Sequence, residues 1–330
     1  MTPKNLIIFD MDGVIIDVSG SYRDVVRQAT TLFFRPARSW ENLPQPLFEL
    51  SDLAAVKQSG GLNNDWDLTC AVINLLYSLT AKPAISESRD PWTRWQETLS
   101  RSDATGIAEF FAATDQPLAT LLKHKGRPQD TFISELYVGD VGTGNIIKQI
   151  FQEIYLGDEL FERTYDVKPK IYSGEGYILR EKVLIDPAVL AALGRNNVLA
   201  IATGRPRAEA EYPLIHFDLK KYFNLIYTLD DCLQEEKRIF EETGETVSLS
   251  KPHPFMLDAI AGGLKDKFSG HYYVGDMPDD MLAAANSRFE FKSIGITLSA
   301  PDKRALANEL RQSGAEYLVE DFDGLREIFL

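Results

Sequence analysis

Cysteine is almost missing from this chain: Cys70 and Cys232 are the only two among 330 residues. One lies in each half and neither has a partner at metal-ligand spacing, which excludes a cysteine-built metal site and fits a reducing compartment. Both read as small core residues. Positive charge is also scarce, with 35 Lys and Arg against 49 Asp and Glu, a net charge of −14. That balance repels a polyphosphate backbone, so nucleic acid is not an expected partner. No uninterrupted apolar stretch reaches membrane-spanning length, and the amino terminus runs from Lys4-Asn5 straight into Leu6 to Phe9, too short for a signal-peptide core. A membrane partner is therefore not expected, and a cytoplasmic location is. Internal repeats and low-complexity tracts are lacking as well.

What is present is ordinary for a folded, soluble protein: 44% hydrophobic and 25% charged residues. The length of 330 residues favours two packed domains over one. Leu6-Ile7-Ile8-Phe9 is a short, wholly apolar run stopped by Asp10-Met11-Asp12-Gly13, the pattern of a buried parallel strand ending in a loop. Similar runs recur at Val198 to Ala202, Asn224 to Tyr227, His271 to Val274 and Ser293 to Thr297. Helical spacing separates them, at Arg207 to Ile215, Phe255 to Ala261, Asp279 to Ala285 and Asp302 to Leu310. The alternation predicts an α/β fold, a Rossmann-like parallel sheet with helices on both faces. Between the first strand and the second the alternation stops and the patterns are mainly helical, as in Asp67 to Leu79 and Asn145 to Tyr155. We expect residues 1–18 and 179–330 to form the core, and residues 19–178 a large inserted helical domain.

Ligands of an open parallel sheet bind beyond the carboxyl ends of its strands. Those ends carry Asp10 and Asp12, then Thr203-Gly204-Arg205, then Lys251, then Asp276 with Asp279 and Asp280. Side chains two apart on an extended chain share a side, so Asp10 and Asp12 are able to face one substrate, one attacking phosphorus and the other serving as acid and base. Thr203 offers a hydroxyl, Gly204 allows close backbone approach, and Pro206 suits a helix start, which together make an anion site or a plain turn and cap. Lys251 stands before Pro252-His253-Pro254 on a stiff backbone, placed to neutralise both Asp10 and a phosphate, or else a solvated surface group. Asp276 ends a strand and Asp280 lies one turn into the next helix, near enough to address one cation; an acidic helix start is the alternative.

The segments FDMDGVIID at 9–17, ATGRP at 202–206, KPHP at 251–254 and VGDMPDD at 274–280 resemble the four ordered motifs of the haloacid dehalogenase superfamily. The branch resembled is the phosphoglycolate phosphatase-like one, whose helical cap is inserted just after the first motif. The resemblance implies a magnesium-dependent phosphoric monoester hydrolase working through an aspartyl-phosphate. It assigns Asp10 to attack, Asp12 to acid and base work, and Thr203, Gly204 and Lys251 to the phosphate. It assigns the magnesium to Asp10, the backbone carbonyl of Asp12, and Asp276, with Asp280 in support; Asp279 competes with Asp280, and the spacing GDxxxD favours Asp280.

The insert is expected to be a mobile cap that excludes water and contacts substrate. DVSGSYR at 17–23 and GGLNNDWD at 60–67 further resemble a subgroup of the superfamily found among cyanobacteria and archaea. Arg23 follows the first motif closely and either meets an anionic substrate group or sits on a helix surface. Asn63, Asn64 and Asp65 combine backbone freedom with amide and carboxylate groups suited to hydroxyl recognition, unless the segment is a turn in which Asp65 or Asp67 caps the next helix. The expected partner is a small phosphorylated metabolite such as a sugar or polyol phosphate. A dehalogenase would need neither Asp12 nor the metal ligands. A phosphomutase of the same fold and a non-catalytic regulator that binds a phosphometabolite remain alternatives, and the oligomeric state is not legible.

Overall fold

Leu6 to Phe9 offers no polar side to water, and the fold buries both of its sides. The computed structural model describes residues 4–58, 64–264, 267–300 and 302–329. Its strands in chain order are β1 (Lys4–Phe9), β2 (Ile16–Asp17), β3 (Lys182–Val183), β4 (Asn197–Ala202), β5 (Leu225–Tyr227), β6 (Phe268–Gly275), β7 (Lys292–Ile296) and β8 (Tyr317–Val319). The chain forms two compact units, Met1–Val18 with Glu181–Leu330, and Ser19–Arg180.

The first unit holds a six-stranded sheet in the order β5-β4-β1-β6-β7-β8, every pair parallel. Alternation along β1 and β4 divides the core in two. Ile7, Phe9, Leu199 and Ile201 pack on one face with Leu190, Leu193, Ala210, Leu214 and Leu325 from the helices Pro187–Gly194, Arg207–His216 and Phe322–Phe329. Leu6, Ile8, Val198 and Ala200 pack on the other with Cys232, Leu257, Ile260 and Ala284, from the helices Leu229–Thr243, Phe255–Gly263 and Pro278–Asn286. This is the sheet covered on both faces that the apolar runs call for. Full burial of one such Leu or Ile contributes roughly 1.5–3 kcal/mol, so the two faces together account for much of the stability of this unit. From β1 the chain passes to β4 and β5 on one side and later to β6, β7 and β8 on the other. The order therefore reverses at β1, and ligand crevices open at the carboxyl ends of strands where that happens.

Three features differ from the sequence reading. The sheet has a sixth strand, β8, only three residues long and paired to β7 at the edge. The helix Leu229–Thr243 is long but mostly polar, with Cys232 as its buried residue, and so has no broad apolar stripe to announce it. A two-residue antiparallel pair, Ile16 to Val183 and Asp17 to Lys182, ties together the points where the chain leaves this unit and returns. The cysteines differ from each other as well: Cys232 is in the core, whereas Cys70 is half-buried.

The second unit is helical. Its core is built by the helices Tyr22–Phe34, Asp65–Tyr77 and Ile146–Tyr165, with Val25, Phe33, Leu68, Val72, Ile150, Phe151 and Ile154 fully buried. Tyr22 stacks on Tyr155 at 4.4 Å between ring centroids. Two buried carboxylates organise its loops by accepting from backbone N–H groups: Asp52 from Leu118 and Ala119, and Glu153 from Lys170, Ile171 and Tyr172. Each donor offsets part of the cost of burying a charge. Among the described residues no helix is long and apolar enough to cross a membrane.

Candidate active site

Asp10 is the first residue past β1, and its N–H continues the ladder to the carbonyl of Val274 at 2.8 Å. It therefore stands at the point where the strand order reverses, with only 5% of its surface exposed. The chain turns directly afterwards. Gly13 adopts φ +72° and donates to the carbonyl of Ile16, and a Cβ there would lie 2.0 Å from Asp276 Oδ2. Glycine is required at this position both for its backbone angle and for the approach of Asp276.

Lys251 Nζ lies 2.8 Å from Asp10 Oδ1, 2.7 Å from Asp280 Oδ1 and 3.1 Å from the Tyr273 hydroxyl. One ammonium thus bridges two buried carboxylates. The Tyr273 hydroxyl is in turn 3.0 Å from Asp280 Oδ1 and 3.2 Å from the carbonyl of Ala202 at the end of β4. Asp280 is fixed from its other side, since Oδ2 accepts from the N–H of Met277 at the start of the helix Pro278–Asn286. The same carboxylate that caps this helix therefore reaches the cluster. Asp279, on the same turn, is half-buried and outside it.

Asp10, Asp276 and Asp280 each bring a carboxylate oxygen within 4.8 Å of the others. Burial, reinforced by this crowding, holds protons on two of them, Asp10 and Asp276. Burial pushes Asp10 up to about 7 against the opposing pull of Lys251, with Asp280 and Asp12 adding to the rise. Asp276 is raised well above the usual carboxylate range by burial and by the charges of Asp10 and Asp280. Burial works against the charge of Lys251, but Asp10 and Asp280 more than compensate and hold its ammonium well above the ordinary value. An all-oxygen donor set whose members repel one another, beside a glycine that leaves room, has the chemistry of a hard divalent cation site. The side chain of Asp12 is not in this set: its Oδ1 accepts from Arg205 Nε at 2.6 Å.

Thr203 follows β4, next to β1 in the sheet, and is buried. Its N–H donates to Tyr227 and its hydroxyl accepts from the N–H of Arg205 at 3.2 Å, which shapes the turn. Gly204 is exposed, and a Cβ on it would meet nothing within 4 Å. Its value is therefore the open approach it leaves to its own backbone. Pro206 precedes the helix Arg207–His216 as its cap residue rather than opening its first turn.

The candidate substrate residues belong to the helical unit. Arg23 lies in the first turn of the helix Tyr22–Phe34 and is half-buried. Asn64, and neither Asp65 nor Asp67, caps the helix Asp65–Tyr77: its Oδ1 accepts from the N–H of Asp67 at 2.7 Å and its Nδ2 donates to the Asp67 carboxylate. Asp65 is already inside the helix. Asn63 lies outside the described residues.

Two residues of the site, Tyr273 and Glu181, were not singled out from the sequence, and Arg205 was noted at a strand end without a role. Tyr273 reads simply as part of an apolar strand. Arg205 is 2% exposed, and its NH1 and NH2 meet Glu181 Oε2 and Oε1 at 3.0 and 3.1 Å. Its place beside Thr203-Gly204 was the available signal, because a charged residue directly after a buried strand end must find a partner.

The sequence model of haloacid dehalogenase-like hydrolases matches residues 4–288. Nothing among curated proteins matches. An X-ray structure from the Northeast Structural Genomics Consortium is similar with a TM-score of 0.63 at 22% identity, covering 99% of this chain and 98% of that one. Phosphatase Tt82 from Thermococcus thioreducens is similar with a TM-score of 0.52 at 18% identity, over 93% of this chain and 99% of that one. At these identities the two structures bear on the fold, which they share, and the family match rests on the sequence. With the motif residues assembled at the ends of a parallel sheet and the match spanning most of the chain, the chain belongs to the haloacid dehalogenase-like hydrolase family.

Proposed function

We propose that this chain is a magnesium-dependent phosphatase that hydrolyses a small, soluble phosphate monoester through an aspartyl-phosphate on Asp10. The observation that carries the reading is the ion pair of Lys251 with a buried Asp10 at the strand-order reversal, with Asp12 held apart by a different cation. An oxygen of Asp10 attacks phosphorus, and the bond from phosphorus to the ester oxygen breaks. The electron pair stays on that oxygen, which takes the proton of Asp12 and leaves as an alcohol. Water then attacks the aspartyl-phosphate, the Asp12 carboxylate accepts the proton of the water, and inorganic phosphate departs as Asp10 is restored. Lys251 offsets charge on the transferring group, and Thr203 with the backbone at Gly204 receives its oxygens.

Asp10, Asp276 and the backbone carbonyl of Asp12 are the residues we assign to magnesium, with Asp280 orienting Lys251 and supporting the set. When bound, the ion supplies positive charge for the transferring phosphoryl group and orients the attacking carboxylate. Residues 19–178 are proposed as the cap domain, with Arg23, Asn63, Asn64 and Asp65 as candidate determinants for a hydroxylated substrate such as a sugar or polyol phosphate, and the enzyme as cytoplasmic. The test is a panel of phosphomonoesters assayed for phosphate release with magnesium and after chelation. Release from several members, lost on chelation and restored by magnesium, is the expected result. No release from any member overturns the reading, and isomerised sugar phosphate without release points to a mutase.

A further inference from the structure

Arginine is rarely found fully buried, and Arg205 and Glu181 have side chains only 1% and 0% exposed. A buried ion pair is weak evidence for stability, because well-packed apolar side chains of similar size serve as well or better. Its geometry here has a direction. Both terminal nitrogens of the guanidinium engage the two oxygens of Glu181, NH1 also donates to the carbonyl of Glu209 at 3.2 Å, and Nε is thereby left facing the loop after β1. There it donates to Oδ1 of Asp12 at 2.6 Å, across 193 positions of sequence. Asp12 has 37% of its side chain exposed, and its Oδ2 has no hydrogen-bond partner among the described residues. One oxygen of Asp12 is thus anchored from below by a group that is itself fixed at three points, while the other stays open. Asp12 by itself is a short side chain on a turn, free to take other rotamers.

We propose that Arg205, clamped by Glu181, is a positioning residue that fixes the rotamer of Asp12 so that its free oxygen meets the leaving-group oxygen. The inference rests on the phosphatase reading given above. It assigns no contact with substrate to either residue. Lysine is a poor replacement, because a single ammonium cannot hold both oxygens of Glu181 and still present a separate donor to Asp12.

The experiment compares kcat/KM of wild type, Arg205→Lys and Glu181→Gln on two esters that the wild type hydrolyses. One is p-nitrophenyl phosphate, whose leaving group departs without a proton. The other is an alkyl phosphate from the panel, whose leaving group needs one. General acid catalysis is worth about 100-fold or more. Arg205→Lys should therefore lower kcat/KM on the alkyl ester by about 50-fold or more and on the nitrophenyl ester by less than about 5-fold, and Glu181→Gln should give the same split at smaller size. A purely structural pair would move both esters together. Equal losses on the two esters with the fold intact, or unfolding of both variants, overturns the positioning role while leaving the phosphatase reading in place. A wild type that hydrolyses neither ester instead removes the reading on which the inference stands.

Discussion

Replacing Lys251 with Met removes the only cation in ion-pair contact with Asp10 and Asp280 among the described residues, at 2.8 and 2.7 Å. Truncating one member of a buried ion pair costs about 3–5 kcal/mol, because the remaining charge is left in a poorly solvated place. Here the charge on Asp10 is able to escape by taking up a proton. Asp10 is already raised to about 7 with Lys251 present, so without it the carboxyl should stay protonated to still higher pH. A carboxyl whose folded pKa lies above its unfolded value binds more protons in the folded state, so its contribution to stability falls as pH rises through that window. For wild type without metal the window runs from about 4 to about 7, from the ordinary value of Asp10 to its raised one. For Lys251→Met it extends higher. In chelator, the variant should lose about 3 kcal/mol relative to wild type at pH 8 and no more than about 1 kcal/mol at pH 5. Urea unfolding at both pH values measures the difference, and magnesium should recover part of it at pH 8 by binding the carboxylates. A loss of the same size at both pH values, or a variant as stable as wild type at pH 8, would refute the view that Lys251 balances a strained pair of acids.

The remaining predictions follow from the same geometry. Asp10→Asn should abolish turnover and leave the melting temperature within a few degrees of wild type, since the amide keeps the shape and removes the attacking charge; near-normal turnover would rule out the covalent route. Calcium should compete with magnesium but support turnover poorly, because its larger and more flexible shell allows both oxygens of Asp10 to coordinate; a calcium titration of the magnesium enzyme checks this. Asp280→Ala should cut kcat at least tenfold more than Asp279→Ala, because Asp280 touches Lys251 while Asp279 stands outside the cluster; equal effects would contradict the assignment. Gly13→Ala should lower stability by about 1–3 kcal/mol from backbone strain alone. It should also raise the magnesium concentration needed for activity, since the new methyl would collide with Asp276.

The sequence by itself determined the strands that pass through the middle of the sheet and the polar groups at their ends. A strand buried on both faces must be apolar throughout, so β1, β4, β6 and β7 announce themselves locally, and Asp10, Thr203 and Asp276 stand out as the first polar residues after them. The motif spacing also favoured Asp280 over Asp279, because adjacent residues on a helix point about 100° apart and so face different neighbours. Tertiary structure alone decided the rest. β8 is strand only because β7 supplies its ladder, and three residues carry too little pattern to show it. Asn64 took the helix cap that the neighbouring aspartates were also suited to fill. The strand order, which sets Asp10 between β4 and β6, is a matter of how distant segments pair. The same holds for Tyr273, Glu181 and Arg205, whose partners in the site lie 7 to 193 positions away. An arginine bound for the interior and one bound for the surface are the same letter in a sequence, and only the packed fold, by excluding water from around Arg205, forces it to find Glu181 and Asp12.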